Sequence, residues 1–149
     1  MAIARGNGTE IIRSHAFSGL NSTYQNLIVG VPQHIYTVLS IVVHAVSMNT
    51  QGTPCWVYLE GYDARTGTTA TMVTMFKQNM NNDQTFVWND KFSFNGHEPV
   101  DFTAGMDSIA KQDAIADQGS SVAQYLRCYT SDAADNFEVG ITYIDQNNS

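Results

Sequence analysis

Apolar and polar side chains alternate with a period of two along most of this chain. The alternation is clearest in residues 34–46 and 55–62, where β-branched or aromatic residues interleave with small or polar ones. This period is typical of a half-buried β-strand. We therefore predict strands in both segments and in six others: Tyr24–Val29, Thr69–Phe76, Thr85–Trp88, Lys91–Phe94, Val122–Thr130 and Phe137–Ile144.

About eight or nine short strands without a long helix predict an all-β protein, a single-domain β-sandwich for which we favour a jelly-roll-like order. One segment departs from the period of two. Between Met106 and Gly119 the apolar residues recur at nearly helical intervals, and the glycine would end a helix. We expect a short inserted helix or loop there, on the surface of the domain.

The N-terminal segment, residues 1–19, differs in character from residues 20–149, which we expect to form the jelly-roll domain. Glycines punctuate the segment, and its apolar anchors are Ile11, Ile12 and Phe17. One interpretation is a frayed end that adds a short strand, Glu10–His15, to its own sheet. The other is an extended arm that crosses to a neighbouring subunit and docks by strand addition, with Arg5 and Arg13 contacting carboxylates.

Composition and charge exclude several classes of function. The chain has 149 residues, of which 43% are hydrophobic, and its 14 acidic against 7 basic residues give a net charge of −7. One domain of this size buries a sufficient core without a metal or disulfide. The acidic balance argues against nucleic acid and anionic membranes as partners. The apolar runs are too short to span a bilayer, and the N-terminus lacks the apolar core of a signal peptide.

No catalytic or metal-binding motif is present, so we expect a protein that is not an enzyme and has no cofactor or metal. The chain contains no G-x-S-x-G, no H-E-x-x-H and no phosphate-binding loop. His34 and His44 would share one face of a regular strand, but roughly 33 Å apart, too far to share a metal. The Asp residues fall mostly in turns. Asp132 and Asp135 with Asn136, or Asn81, Asn82 and Asp83, could ligate calcium, although neither segment follows an EF-hand pattern.

The two cysteines, Cys55 and Cys128, fall in predicted strands. Two thiols do not make a disulfide scaffold, and a reducing cytosol favours small buried hydrophobes at such positions. We expect both to be reduced and at least partly buried.

Aromatic residues on one predicted strand form a candidate binding surface. Trp56, Tyr58 and Tyr62 share one strand face, while Cys55 and the other small or aliphatic residues share the opposite one. If the aliphatic face is core, the three aromatic side chains stand outside. Such a stripe could bind sugar, together with Trp88, but it more often marks a protein interface.

The order of segments resembles a family of small virion proteins of tailed bacteriophages. The run HIYTVLSIVVHAVSMNTQGTPCWVYLEGYDARTGTTATMV, with its Y-D-A turn at residues 62–64, is similar to the family's opening hairpin. QTFVWNDKFSF and DFTAGMDSI follow in the family's order. YLRCYTSDAADNFEVGITYIDQ resembles the terminal hairpin, with Thr142, Tyr143 and Asp145 at its closing positions. Met106 and the insertion from Ala110 to Ala123 depart from the family pattern.

The resemblance implies a non-enzymatic structural component of a phage virion, made in the bacterial cytoplasm. The leading hypothesis is a capsid decoration or cement protein that forms a homo-oligomer, a trimer, and stabilises the head shell by contacting the major capsid protein. A neck or tail accessory protein is the alternative, and a receptor- or carbohydrate-binding module is a third. We expect partner contacts at Arg5, Ile11, Ile12, Arg13, Phe17, Trp56, Tyr58 and Tyr62.

Overall fold

The chain folds as a jelly-roll-like β-sandwich, which confirms the predicted all-β class. A computed structural model describes residues 9–62, 70–99, 108–110, 112–113 and 121–148. The strands are β1 (Thr9–Leu20), β2 (Gln25–Val29), β3 (His34–Ser47), β4 (Thr53–Tyr62), β5 (Ala70–Met80), β6 (Thr85–Trp88), β7 (Phe92–Asn95), β8 (His97–Pro99), β9 (Ser121–Ala123), β10 (Tyr125–Thr130) and β11 (Asn136–Asn147).

Two antiparallel sheets form the two layers. Sheet A has the order β1-β11-β3-β6, with β7 pairing the same edge of β3 as β6. Sheet B has the order β2-β10-β4-β5, and β8 pairs β9 as a separate two-stranded ribbon. Five connections pass from one of these sheets to the other: β1 to β2, β2 to β3, β3 to β4, β5 to β6 and β10 to β11. The hydrophobic core lies between the two layers.

Alternate residues of the central strands fill this core. Phe137, Val139 and Ile141 of β11 point into it, and Cys55 and Val57 of β4 meet them from sheet B. These residues are almost fully buried, as expected where two sheets pack face to face. Cys55 and Val57 thus lie on the face of β4 that the period of two assigned to the aliphatic residues.

A β-bulge at Leu39 reverses the period of two within β3. Ser40 pairs with Thr142 and Val38 pairs with Tyr143, so one extra residue lies between them on β3. Tyr36 and Val38 are buried before the bulge, and Ile41 is buried after it. A bulge shifts the following side chains to the other face of the strand. Our expectation that His34 and His44 share a face is therefore wrong, because it assumed a regular strand.

The predicted strand Val122–Thr130 is two strands in different sheets. Between them the Gln124 N–H donates to the Gly96 carbonyl, and the Gln124 carbonyl accepts from the Gly30 N–H. A Cβ added to Gly30 would lie 1.9 Å from the Gly96 oxygen, so backbone alone fits at this crossing. The crossing ties the end of β2 to the ribbon.

The Asp side chains of the turn between β10 and β11 accept hydrogen bonds at one end of the sandwich. Asp132 accepts from the Ala134 N–H at 2.8 Å and from the Asn49 side-chain amide at 2.7 Å. Asp135 is buried, and one of its oxygens accepts from the Asn49 N–H at 2.9 Å. These bonds join the β10–β11 turn to the β3–β4 turn.

The predicted insertion and the expected N-terminal arm fall partly outside the described residues. Most of the predicted insertion, 106–119, lies outside them; within it the Gln112 N–H donates to the Ser108 carbonyl at 3.0 Å, as in a helical turn. Residues 1–8 of the expected arm also lie outside them. Residues 9–20 form β1, which pairs with β11 of the same chain. Docking of the N-terminal segment on a neighbouring subunit stays a prediction.

We expect both thiols to react slowly in the folded protein. Cys55 and Cys128 are free and buried, and burial raises the pKa of each from 9.0 to about 12. The reactive thiolate is therefore scarce at neutral pH. Labelling with a thiol reagent should be slow in buffer and fast in denaturant. Rapid labelling of the native protein, or an intact mass lower by two hydrogens, would contradict this expectation.

Candidate functional site

The candidate site is a groove where both sheets end, between strand β1 of sheet A and strand β2 of sheet B. Its volume is about 440 Å³. The polar side chains that line it are Arg13, His15, His34, Tyr36, Tyr143 and Asp145. The apolar side chains are Phe17, Leu27, Ile28, Val29 and Val31. Strand β1 at the edge of sheet A and strand β2 at the edge of sheet B contribute residues to its two walls.

Asp145 is the centre of the polar side of this groove. Its carboxylate is buried, and it accepts from Arg13 Nε at 3.0 Å and from His34 Nδ1 at 2.6 Å. Arg13 lies on β1 and His34 on β3, the two strands that flank β11. A buried carboxylate needs such partners, because desolvation of an unpaired charge is costly. The two contacts therefore fasten three strands together at one end of sheet A.

Two tyrosines extend this polar network. The Tyr143 hydroxyl lies 3.1 Å from His15 Nε2, and the Tyr36 oxygen accepts from the Val31 N–H at 3.1 Å. Burial raises the pKa of Tyr36 to about 12, and the negative charge of Asp145 adds to the effect. Burial likewise raises the pKa of Tyr143. Both phenols are therefore protonated at neutral pH and act as hydrogen-bonding groups.

This arrangement supplies ion pairs and hydrogen bonds that position strands. The carboxylate is occupied by two donors, and the tyrosines keep their protons. In the parts of the chain that the structure describes, no three His, Cys, Asp or Glu side chains come together to hold a metal. In the same parts, no helix has the length and apolarity that a membrane span requires.

The predicted partner-binding residues of the N-terminal segment divide between the two faces of β1. Arg13 and Phe17 line the groove. Ile11 pairs with Asp145 and lies on the same face, with its side chain exposed. Ile12 lies on the opposite face and is 70% exposed. Arg5 is outside the described residues.

The predicted aromatic stripe lies on the outer face of sheet B, where it forms an aromatic cluster of Tyr24, Trp56, Tyr58 and Tyr129. Trp56 stacks on Tyr129 with ring centroids 4.9 Å apart. Tyr58 is 2% exposed, although it was expected to stand outside. The rings of Tyr24 and Tyr129 pack edge-on against Tyr58 and cover it on the outer face of sheet B.

Trp56 has little free ring surface for a sugar. Tyr129 of β10 stacks on it, and the Lys77 ammonium of β5 lies 4.8 Å from its ring centroid. Strands β10 and β5 flank β4, so these groups approach the indole from opposite sides. Trp88 faces the core, where it packs on Phe76. The side chain of Tyr62 is outside the described part.

Sequence reasoning did not find the polar network of the groove. Arg13 and Asp145 are separated by 132 positions, and His34 and Asp145 by 111. No spacing rule connects residues so distant along the chain. The one usable signal was the shared parity of Tyr143 and Asp145, which lie inside and just beyond the predicted strand Phe137–Ile144 and would share a face with Phe137 if the strand continued.

Comparison with known proteins shows no relationship from which function follows. No protein-family model matches the chain, and no curated protein matches it. Among solved structures, a disulfide-linked pilus protein of Bacillus endospore appendages has a TM-score of 0.44 and 11% identity, covering 100% of this chain and 97% of that one. The family 22 carbohydrate-binding module of Clostridium thermocellum Xyn10B has a TM-score of 0.48 and 14% identity, covering 98% and 88%.

A protein of infectious bursal disease virus, Gx strain, has a TM-score of 0.43 and 7% identity, covering 93% of this chain and 33% of that one. Structural and binding proteins are thus represented among these neighbours. Their identities and TM-scores are too low to carry an argument about this chain.

We expect Asp145→Asn to destabilise the protein more than Arg13→Met. An amide in place of the carboxylate leaves Arg13 and His34 without their charged acceptor, at a cost of about 3 kcal/mol. Arg13 is partly exposed, and in the Arg13→Met variant Asp145 still pairs with His34. The free energy of unfolding of this variant should therefore fall by only about 1 kcal/mol. Urea denaturation measures both values. Equal losses would show that Asp145 is not the centre of the network.

We expect stability to fall in alkaline solution. The folded-state pKa of Tyr36 is raised from 10.0 to about 12, and those of Cys55 and Cys128 from 9.0 to about 12. The folded protein thus holds these protons more tightly than the unfolded chain does. The resulting stability is present below pH 9 and is lost as the pH rises to about 12.

Denaturation in urea across this pH range measures the loss, and Tyr36→Phe should show a shallower decline above pH 10. An unchanged slope in this variant would contradict the assignment to Tyr36.

Proposed function

We propose that this protein is a non-enzymatic structural subunit of a tailed-phage virion, a decoration or cement protein that assembles as a homo-oligomer on the head shell. The observation that supports this proposal is the edge of β1. Strand β1 pairs with β11 on one side, and on its other side no strand of the described residues pairs with it. Its pairing is regular from Thr9 to Phe17.

The other edges of the two sheets are shorter or interrupted. On the far side of sheet A, β6 and β7 are short strands separated by residues 89–91. Strand β2 has five residues, and β5 contains a bulge at Met75 and carries Lys77. Short strands, bulges and lysine protect an edge from pairing with another chain. From Thr9 to Phe17, β1 is long and has no bulge, and its inward-facing Arg13 is paired with Asp145 of the same sheet, which favours its use in assembly.

The side chains of β1 fit an interface. Ile11 and Ile12 are exposed on opposite faces, so an added strand would find an apolar contact on either side. A long, unpaired edge with exposed apolar side chains is a hazard for a protein that stays alone in solution. The edge is consistent with burial in a particle. The resemblance of the sequence to virion proteins supplies the setting, and the trimer is the oligomer we propose.

Copy number in purified particles tests the function. Staining or mass spectrometry of particles of the encoding virus gives the ratio of this protein to the major shell protein. Hundreds of copies are expected for a decoration protein, and about a dozen would indicate a neck or tail ring. Absence from particles would refute a virion role of either kind.

We expect Ile12→Lys to weaken self-assembly without unfolding the domain. The side chain is 70% exposed, so the stability change should be within about 0.5 kcal/mol, while the lysine opposes pairing at this edge. Light scattering after gel filtration measures the oligomer. Val87→Lys is the matched control, since Val87 is 55% exposed on β6 at the far side of the same sheet.

The trimer proposal fails if the wild-type protein is a monomer by the same measurement. The role of the β1 edge fails if Ile12→Lys and Val87→Lys assemble equally well.

A further inference from the structure

Strand β1 has the longest regular edge in the described part of the chain. It runs from Thr9 to Phe17 without a bulge. The other edge strands there either have five residues or fewer, as β2, β6 and β7 do, or contain a bulge, as β5 does. Short and bulged edges resist strand addition. Between identical copies, the edge best suited to pair with β1 is therefore β1 itself.

The charged side chains of this edge balance, whereas those of the whole chain do not. Residues 9–15 contain one acidic and one basic residue, Glu10 and Arg13, while the chain has a net charge of −7. Two acidic copies therefore meet less repulsion along β1 than their net charge implies.

We propose that β1 pairs with β1 of a second copy, antiparallel and across a twofold axis, with Ile12 facing Ile12 at the axis. Each copy then presents the same surface to the other. The axis is perpendicular to the sheet, so each residue lies opposite a residue on the same face. Ile12 is 70% exposed, and its counterpart covers it on the outer face of sheet A. This inference rests on the proposed self-assembly and names the surface and symmetry of one contact.

The charged residues of β1 select this register. Glu10 lies opposite Ser14, and Ile11 lies opposite Arg13, so no two like charges meet. An axis at Arg13 would set two guanidinium groups opposite each other, which is destabilising, and an axis at Ile11 would set Ile12 against Glu10. On the groove side, the methylene stem of Arg13 covers Ile11, which is 41% exposed.

The twofold contact extends the proposed assembly beyond a single trimer. A contact of this symmetry relates copies in pairs and cannot close a ring of three. It therefore joins a copy of one trimer to a copy of a neighbouring trimer. Trimers connected in this way form a continuous layer, which suits a protein that covers a head shell.

Disulfide trapping in the full-length protein tests the contact. Ile12→Cys protein is mildly oxidised and run on a non-reducing gel. We expect a linked dimer, because directly opposite residues of antiparallel strands lie within the Cα separation that a disulfide spans. The native Cys55 and Cys128 are buried and do not compete. The matched control is Ser14→Cys, on the same exposed face of β1, where the two copies of the residue lie roughly 14 Å apart.

The proposal expects a yield of linked dimer from Ile12→Cys roughly ten-fold above that from Ser14→Cys, because pairing raises the effective concentration of the facing thiols. Equal yields would show random collision and overturn it. A mixture of Glu10→Cys protein with tagged Ser14→Cys protein keeps Ile12 in place and checks the register. These two residues lie opposite each other, so we expect a linked heterodimer. Its absence would also overturn the proposal.

Failure of this contact is distinguishable from failure of the proposed function. The oxidation is carried out on the free Ile12→Cys protein and on purified particles that encode it. If particles carry the protein but no linked dimer forms in either sample, the twofold contact is wrong and the virion role stands. If the linked dimer forms in the free protein but particles lack the protein, pairing through β1 stands and the virion role is wrong.

Discussion

The rest of the structure depends on strand β11, which pairs with β1 on one edge and with β3 on the other and contributes to the core along most of its length. Phe137, Val139 and Ile141 fill the space between the sheets, and Asp145 continues the same face at the open end. The same alternation that builds the core thus delivers a carboxylate to the groove. The partners of that carboxylate, Arg13 and His34, come from the strands on either side. Loss of the β11 register would remove the core face and the groove together.

The period of two predicted the fold class and separated the two faces of β4, since this strand is regular where it crosses the core. It failed where a strand has an extra residue. The bulge at Leu39 places His34 inside and His44 outside, and nothing in the local composition of β3 marks that position. The prediction of one strand over Val122–Thr130 also failed, because the chain leaves the β8–β9 ribbon at Gln124 and continues in sheet B as β10. Both failures come from tertiary pairing that local propensity does not contain.

The candidate site was only partly accessible to sequence reasoning, for a related reason. Arg13 and Phe17 were expected to bind a partner, and they line the groove. The aromatic stripe on β4 was placed on the correct face, but its accessibility depended on rings from other segments. Tyr24 and Tyr129 cover Tyr58, and Lys77 approaches Trp56. Exposure is a property of the neighbours of a side chain, so a single strand pattern cannot give it.

The start of β1 and three of the turns lie at opposite ends of the sandwich, which has a practical consequence for the display of foreign peptides. Thr9 pairs with Asn147 at one end, while the turns at residues 48–52, 81–84 and 131–135 gather at the other. A subunit held to a shell by its N-terminal side would present these three turns to the surroundings. Foreign peptides inserted beside Ala133, in an exposed turn, would then be carried outward in many copies without entering the contacts between subunits.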